Sequence, residues 1–533
     1  MLRPSLSVLV LAPISLAALV GAAATQSGEV RVAAIKRQAQ LDPSLARLVP
    51  AAVDGVQIEP TPMIVPDEFV VNFSPDAALV VRTMATGADG ITGFAPIDDS
   101  AEFAAVTAFR PLYPGADLFR DAVRGLPNMT GWFVVTVDTS AVSLGDAMLE
   151  FEQNPFVTDV QPIGVHPVYA TPNDGNYASQ WHLNQASDKD IDAPEGWDIE
   201  NGNPSITVAV MDTGVRYYHK DLGGVNASST NPTATDGNIW INTAEKNGVA
   251  GVDDDGNGYV DDWVGYDFVT APVTTCWPGE DCNGADNDPR DFNGHGTHCA
   301  GNVGAMNNNG YATCSPAGGF GSGSNTATGD GVKVMCLRIG HSAKYQGQEV
   351  GFVRMDSAAS AFYYAANKGA RVASCSWGAS NTGGLGAALD YFIASGGLVF
   401  KAAGNSNNQT ADYMCSRSDV YSVAALDQSD KKASFSSYGT WVDISAPGVS
   451  IYSSYHNHAD AANDYIAALS GTSMATPLTA SVAAAVWSKH PTWTRTQVWD
   501  TVRLNVDSIS AANPSYAGKL GSGRINLQKA LTP

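Results

Sequence analysis

An aspartate, a histidine and a serine, each set among small residues, are the side chains of this sequence best suited to do chemistry. Asp212 ends the apolar run Ile206 to Met211 and is followed by Thr213-Gly214. His295 lies within Asn293-Gly294-His295-Gly296-Thr297-His298-Cys299-Ala300-Gly301. Ser473 lies within Gly471-Thr472-Ser473-Met474-Ala475-Thr476-Pro477. A serine hydroxyl is a weak nucleophile near neutral pH and needs a base within hydrogen-bond reach. A histidine can take that proton and return it to a departing amine. A carboxylate on the other ring nitrogen fixes the tautomer and stabilises the imidazolium as it forms. Brought together, the three would carry out acyl transfer, and the glycines beside His295 would let the backbone pass close to a substrate.

In this chain order the three segments resemble the active-site motifs of the subtilisin-like serine peptidases, whose triad runs Asp, His, Ser. The resemblance extends from about Tyr177 to Leu527. It implies that the His295 and Ser473 segments each open a helix, which would aim the Ser473 backbone N–H and the helix dipole at a developing oxyanion. It implies Asn405, in Ala402-Ala403-Gly404-Asn405, as the second oxyanion donor. Ser376, Trp377 and Gly378 would form one wall of the primary specificity pocket, and Ala403 and Gly404 the other. Trp377 stands where the family usually carries a smaller apolar residue and would narrow a neighbouring subsite.

A gapless alignment onward from Asn405 puts Asp412 near the pocket floor, where an acid would favour Arg or Lys at P1. Between Thr158 and Asp188, however, there is no Lys or Arg, and the maturation cut is expected in that interval. Broad specificity is therefore the expectation, with a convertase-like basic preference as the alternative. A calcium-binding structural protein with a silent protease fold is a second alternative, but it would need a broken triad and none is broken. An α/β-hydrolase is excluded because Gly471-Thr472-Ser473-Met474-Ala475 lacks the last glycine of G-x-S-x-G and the acid precedes the base.

Asp253-Asp254-Asp255-Gly256-Asn257-Gly258-Tyr259-Val260-Asp261-Asp262 opens like a calcium loop, but Val264 occupies the twelfth position where an EF-hand needs glutamate. It resembles an acidic loop of many secreted subtilases, which implies structural Ca2+ held by Asp253, Asp255, Asn257, Tyr259, Asp261 and Asp262. The family also implies a second site at Asp221 and Asn308. No organic cofactor is expected. His219 and His298 read as packing residues, and Cys299 as a buried free thiol beside the site. Of seven cysteines, Cys276 and Cys282 flank a short Pro-Gly loop and are the easiest pair to join.

These residues need rigid elements to position them. Ile206 to Met211, Val332 to Ile339, Arg371 to Ser376, Leu398 to Ala402 and Tyr421 to Leu426 are continuous apolar runs of the kind buried in parallel sheets. Helical patterns separate several of them, at Val353 to Asn367 and Leu385 to Ala394. The alternation predicts an α/β fold, a subtilisin-like doubly wound parallel sheet with helices on both faces. A small α/β unit should precede it. Strands are expected at Glu68 to Phe73 and Trp132 to Val137, helices around Ala101 to Phe109 and Leu144 to Gln153, and an extended run over Val157 to Tyr169. Its position and texture resemble an inhibitor-type propeptide.

The expected division is a signal peptide at 1–24, a leader at 25–66, the propeptide at 67–169 and the catalytic domain at 170–533. Arg3, an apolar stretch from Leu6 to Val20 and Ala22-Ala23-Ala24 form the export pattern, so the protein is expected outside the cytoplasm, extracellular or periplasmic. Acids outnumber bases 53 to 30, a net charge of −23. That argues against nucleic acid or an anionic membrane as partner. Protein and peptide substrates, the propeptide as intramolecular inhibitor and a monomeric state are expected.

Overall fold

The computed structural model describes residues 47–50, 63–84, 92–165, 171–271 and 275–533. The signal peptide, most of the leader and residues 166–170 of the expected cleavage interval lie outside the described residues. The chain divides into two compact units, Glu59–Val168 and, with the strand Arg47–Pro50, Tyr169–Pro533.

The smaller unit is a four-stranded antiparallel sheet in the order Val106–Pro111, Trp132–Val137, Met63–Phe73, Val157–Val165. Alternation places Phe69, Val71, Phe73, Phe133, Val135 and Val137 on one face. Helices Pro75–Met84, Ala95–Phe103 and Leu144–Gln153 cover that face with Ala77, Val81, Ile97, Ala101 and Phe151. One expectation fails here. The helix expected over Ala101 to Phe109 instead spans Ala95–Phe103, and a strand begins at Val106. Pro96 pre-sets the first turn of this helix. Ala105 at φ 50° then breaks the helical path, so Val106 to Phe109 pair with Val137 to Val135.

The larger unit is built on a nine-stranded sheet. Its order is Val506–Asp507, Arg524–Ile525, Ile444–Pro447, Tyr421–Leu426, Leu398–Ala402, Val372–Cys375, Thr207–Asp212, Lys333–Arg338, Gly265–Asp267. Every pair is parallel except the two-residue edge pair Val506–Asp507 and Arg524–Ile525. Successive strand residues feed opposite cores, which explains the continuous apolar runs. Val208 and Val210 enter one core with Val334, Cys336 and Phe400. Ala209 and Met211 enter the other with Met335, Leu337 and Val399. The first core is closed by helices His295–Gly304 and Thr472–Lys489, the second by Met355–Asn367 and Leu385–Ala394. Helix Thr472–Lys489 is buried from Thr472 to Ser488, as an alanine-rich helix with no polar face must be.

Beside the large sheet, strands Ile451–Tyr455 and Tyr465–Leu469 form an antiparallel hairpin. Its free edge is extended by Arg47–Pro50, paired from Arg47 with Ala468 to Pro50 with Tyr465. The segment expected as a leader thus contributes one strand, because an exposed strand edge offers unpaired N–H and C=O groups to any extended segment that reaches it.

Candidate active site

Asp212 is the last residue of its strand, in register with Arg338 of the neighbouring one. His295 opens helix His295–Gly304, and Ser473 is the second residue of helix Thr472–Lys489. Asp291 sets up the histidine. Its Oδ1 accepts from Gly294 N and from the Thr213 hydroxyl, and its Oδ2 accepts from Thr297 N and Oγ1. One fully buried carboxylate therefore caps the histidine helix and ties it to the residue after Asp212.

The neighbouring glycines serve the same approach. Gly294 lies at φ +96°, and a Cβ there would come within 2.4 Å of the Tyr455 ring. A Cβ on Gly296 would meet Gly214 O at 2.0 Å. These glycines let protein segments close on one another, whereas the sequence reading assigned them to substrate.

Asp212 Oδ1 lies 2.7 Å from His295 Nδ1 and also accepts from Thr213 N at 2.8 Å. Both side chains are almost wholly buried. Burial by itself would push the imidazolium pKa down. The Asp212 carboxylate outweighs it and holds His295 well above the ordinary imidazole value. His295 Nε2 has no hydrogen-bond partner, and the Ser473 hydroxyl donates to Ser376 O at 3.1 Å. Cys299 Sγ bridges the two motifs, 3.9 Å from His295 Nδ1 and 3.5 Å from Ser473 O. The base thus carries an unused buried nitrogen, and Cys299 links its ring to a serine whose hydroxyl can rotate off a backbone carbonyl. Catalytic hydrogen bonds that are loose without substrate commonly tighten with it.

Pro477 explains how the serine is held. It has no N–H to give to the carbonyl four residues earlier, which belongs to Ser473. That carbonyl accepts instead from the Ser376 hydroxyl at 2.9 Å and from Cys299. Asn405 is fixed by a complementary pair: its Oδ1 accepts from Thr472 N and Thr472 Oγ1, each at 2.9 Å. With the oxygen so used, the amide Nδ2 is the group left to donate to a ligand. The first N–H groups of helix Thr472–Lys489 have no intrahelical acceptors, so the Ser473 N–H is available beside it.

A cavity of about 330 Å³ opens at Ser473, lined by Ser376, Trp377, Gly378, Ala403, Gly404, Asn405 and Asp412, and also by Lys401. Trp377 is buried and its Nε1 donates to Met211 O at 2.7 Å, which ties the pocket wall to the Asp212 strand. Asp412 does line the cavity but is not free. Its Oδ2 is 3.0 Å from Lys401 Nζ and accepts from Ala379 N, and its Oδ1 accepts from Cys415 N. Burial raises the Asp412 carboxyl, but the lysine and the two backbone donors outweigh it and hold the pKa below the ordinary value.

The acidic loop brings only part of its expected ligand set together. Asp253 and Asp255 cluster with Glu245, their carboxylate oxygens within 4.8 Å of one another. The rest is otherwise engaged. Asp262 is buried against Asn242, Asn257 and Tyr364, Asp261 accepts from Gly251 N, and the Tyr259 ring packs on Tyr266, Phe268 and Tyr364. Asn257 Oδ1 accepts from Tyr259 N. Lys368 pairs with Asp255 and removes part of the cluster's charge.

At the other expected metal position, Asp221 is saturated by Asn309, Thr313 and Ser454. Asn308 turns its side chain to Gly321 O and Asn173 N, so these two side chains are not brought together. Cys276 and Cys282 form a disulfide, and the other five cysteines are free and buried. His298 Nε2 donates to the Ile451 and Ala467 carbonyls, with its pKa pushed down by burial to about 3, and His219 caps the turn at Asp221.

Residues 203–523 match the family Peptidase_S8, the subtilase family. The chain belongs to the subtilase family. It is 31% identical over 364 residues to thermitase of Thermoactinomyces vulgaris, spanning 68% of this chain and 99% of that one. It is 31% identical over 382 residues to the thermophilic serine proteinase of Bacillus sp. (strain AK1), covering 71% of this chain and 74% of the relative. Among solved structures, one titled proteases from Pseudoalteromonas arctica PAMC 21717 shares the fold, with a TM-score of 0.50 at 23% identity over 68% of this chain and 99% of that one. This subtilase is a serine-type endopeptidase, with the α/β sheet architecture of its family. Asp291, Lys401 and Glu245 were missed in the sequence. Of these, only Asp291 left a signal, an acid just ahead of the glycine-flanked histidine.

Proposed function

We propose that the subtilase cleaves internal peptide bonds through an acyl-enzyme on Ser473, with His295 as general base and acid and Asp212 orienting it. The observation that carries this reading is the buried Asp212–His295 pair at 2.7 Å, linked through Cys299 Sγ to the carbonyl of Ser473 in the first turn of its helix. Ser473 Oγ attacks the scissile carbonyl carbon while its proton passes to His295 Nε2. The carbonyl oxygen takes up the charge between the Ser473 N–H and Asn405 Nδ2. His295 returns the proton to the leaving amine, and water then repeats the sequence on the ester. The substrate carbonyl side chain enters the cavity between Ser376–Gly378 and Ala403–Asn405. Broad specificity is proposed, since Asp412 is already paired with Lys401.

Residues 67–169 are proposed as an inhibitory propeptide, removed by self-cleavage between Gly164 and Asn176 after export by the segment at 1–24. The mature enzyme is proposed to act outside the cytoplasm as a monomer. Among the described residues no helix is long and apolar enough to cross a membrane. Structural Ca2+ is proposed at Glu245, Asp253 and Asp255, whose hard carboxylate oxygens suit it; when bound it would neutralise the cluster and stiffen the 253–262 insertion.

The test is a Ser473→Ala protein prepared beside the wild type. Casein hydrolysis that is blocked by a serine-directed inhibitor and absent from the variant supports the reading. A variant that hydrolyses casein refutes it. A pure variant still cut between Gly164 and Asn176 would refute self-processing alone.

A further inference from the structure

Strand Leu398–Ala402 forms one wall of the specificity cavity and reads Leu-Val-Phe-Lys-Ala. Leu398 and Phe400 enter one core and Val399 the other, and Lys401 follows Val399 onto that second face. A lysine is therefore built where the sheet calls for an apolar side chain, and it is almost completely buried. Its Nζ donates to Ala402 O at 2.7 Å and pairs with Asp412 at 3.0 Å. Asp412 keeps about a quarter of its side chain exposed, toward the cavity that both residues line.

Resting on the endopeptidase reading above, we propose that Lys401 determines P1 specificity by neutralising Asp412, so that the pocket accepts neutral side chains and rejects Lys and Arg. With Lys401 present, an entering P1 cation meets a carboxylate already shared with an ammonium and two backbone N–H groups. It must leave water for a floor with no net charge, beside a like charge that cannot move away. A P1 carboxylate is disfavoured in the same way by Asp412. Neutral side chains carry no such penalty. A buried like charge or an unmatched one typically costs several kcal/mol. The proposed processing interval is consistent with this, since Thr158 to Asp188 contains neither Lys nor Arg.

The test measures kcat/KM on tetrapeptide anilides that differ only at P1, carrying Leu, Gln, Arg or Glu. The mature wild type, Lys401→Met, Asp412→Asn and the double variant are compared. In the wild type Leu and Gln should exceed both Arg and Glu. Lys401→Met unmasks the acid and should raise the Arg/Leu ratio by about 10- to 150-fold, the scale of one charge-assisted contact. The double variant should lose that gain. Because Lys401→Met leaves a buried charge unpaired and can fail to fold, Asp412→Asn provides the complementary reading, a rise in the Glu/Leu ratio. A wild type that prefers Arg, or folded single variants with unchanged ratios, overturns the proposal. A wild type that cleaves no anilide and no casein overturns the endopeptidase reading itself, a different result from activity with the wrong P1 profile.

Discussion

Replacing Asp212 with asparagine separates two roles that a triad aspartate usually performs together. Thr213 N and His295 Nδ1 both face the same oxygen, Oδ1. A backbone N–H can only donate, so the atom opposite Thr213 must stay an acceptor, and asparagine keeps its oxygen there. His295 would then keep its proton on Nδ1 and leave Nε2 free to take the serine proton. The variant therefore loses the charge without inverting the tautomer. The side chains are dry, so the loss follows from Coulomb's law in the protein interior. Charges about 4 Å apart at an effective dielectric near 20 interact by about 4 kcal/mol, which is about a 10³-fold loss in the step that forms the imidazolium.

The pH profile carries a second signature of the same substitution. Asp212 holds the His295 pKa above the ordinary value against burial, and catalysis needs the neutral ring. Wild-type kcat/KM should thus rise with pH along a limb whose midpoint lies above about 6.5. In Asp212→Asn the carboxylate no longer opposes burial, and the limb should move to lower pH. The assay is kcat/KM on a P1-Leu anilide across pH 5 to 10, with circular dichroism to confirm folding. A loss below about tenfold with an unmoved limb would refute the electrostatic argument. A loss with no recoverable limb at any pH would refute the pinned amide.

Asn405→Ala should lower kcat by ~10²–10³ with KM little changed, the loss seen for oxyanion-hole donors in subtilisins; an unchanged kcat would remove Asn405 from the mechanism. Trp377→Phe deletes the bond to Met211 O and should cost about 1 kcal/mol, read as a lower Tm, together with a change in P1 profile because the pocket wall is loosened. Chelation of calcium should lower Tm, and 100 Kd of Ca2+ should restore about 2.7 kcal/mol. Glu245→Gln should weaken that calcium response, and an identical Tm with and without chelator in the wild type would rule the site out.

The parts of this protein that repeat a pattern were legible in its sequence. Apolar strands buried on both faces announce themselves as unbroken runs, so Thr207–Asp212, Leu398–Ala402 and Tyr421–Leu426 fell within a residue of expectation. The three motifs around Asp212, His295 and Ser473 could be seen because glycines and small residues must surround a strand end and two helix openings that pack this closely. What stayed hidden depends on partners distant in the chain. Lys401 reads simply as part of the apolar run Leu398 to Ala402, because its partner Asp412 lies outside that strand. Glu245 lies outside the acidic loop, on the short helix Thr243–Lys246 that precedes it. Asn308 and Asn309 are chemically alike, and only the path of the backbone decides which of them meets Asp221. The misplaced helix near Ala101 has a similar cause, since its end depends on a positive φ at an alanine that composition does not reveal.

The central claim is that Ser473 is the nucleophile, and covalent labelling tests it most directly. The mature protein would be treated with a fluorophosphonate, digested and mapped by mass spectrometry, with casein hydrolysis followed in parallel. A single adduct on Ser473, forming at the rate at which activity disappears and absent from His295→Ala, is the predicted result. An adduct on another residue, or full activity retained by protein fully labelled at Ser473, would contradict it.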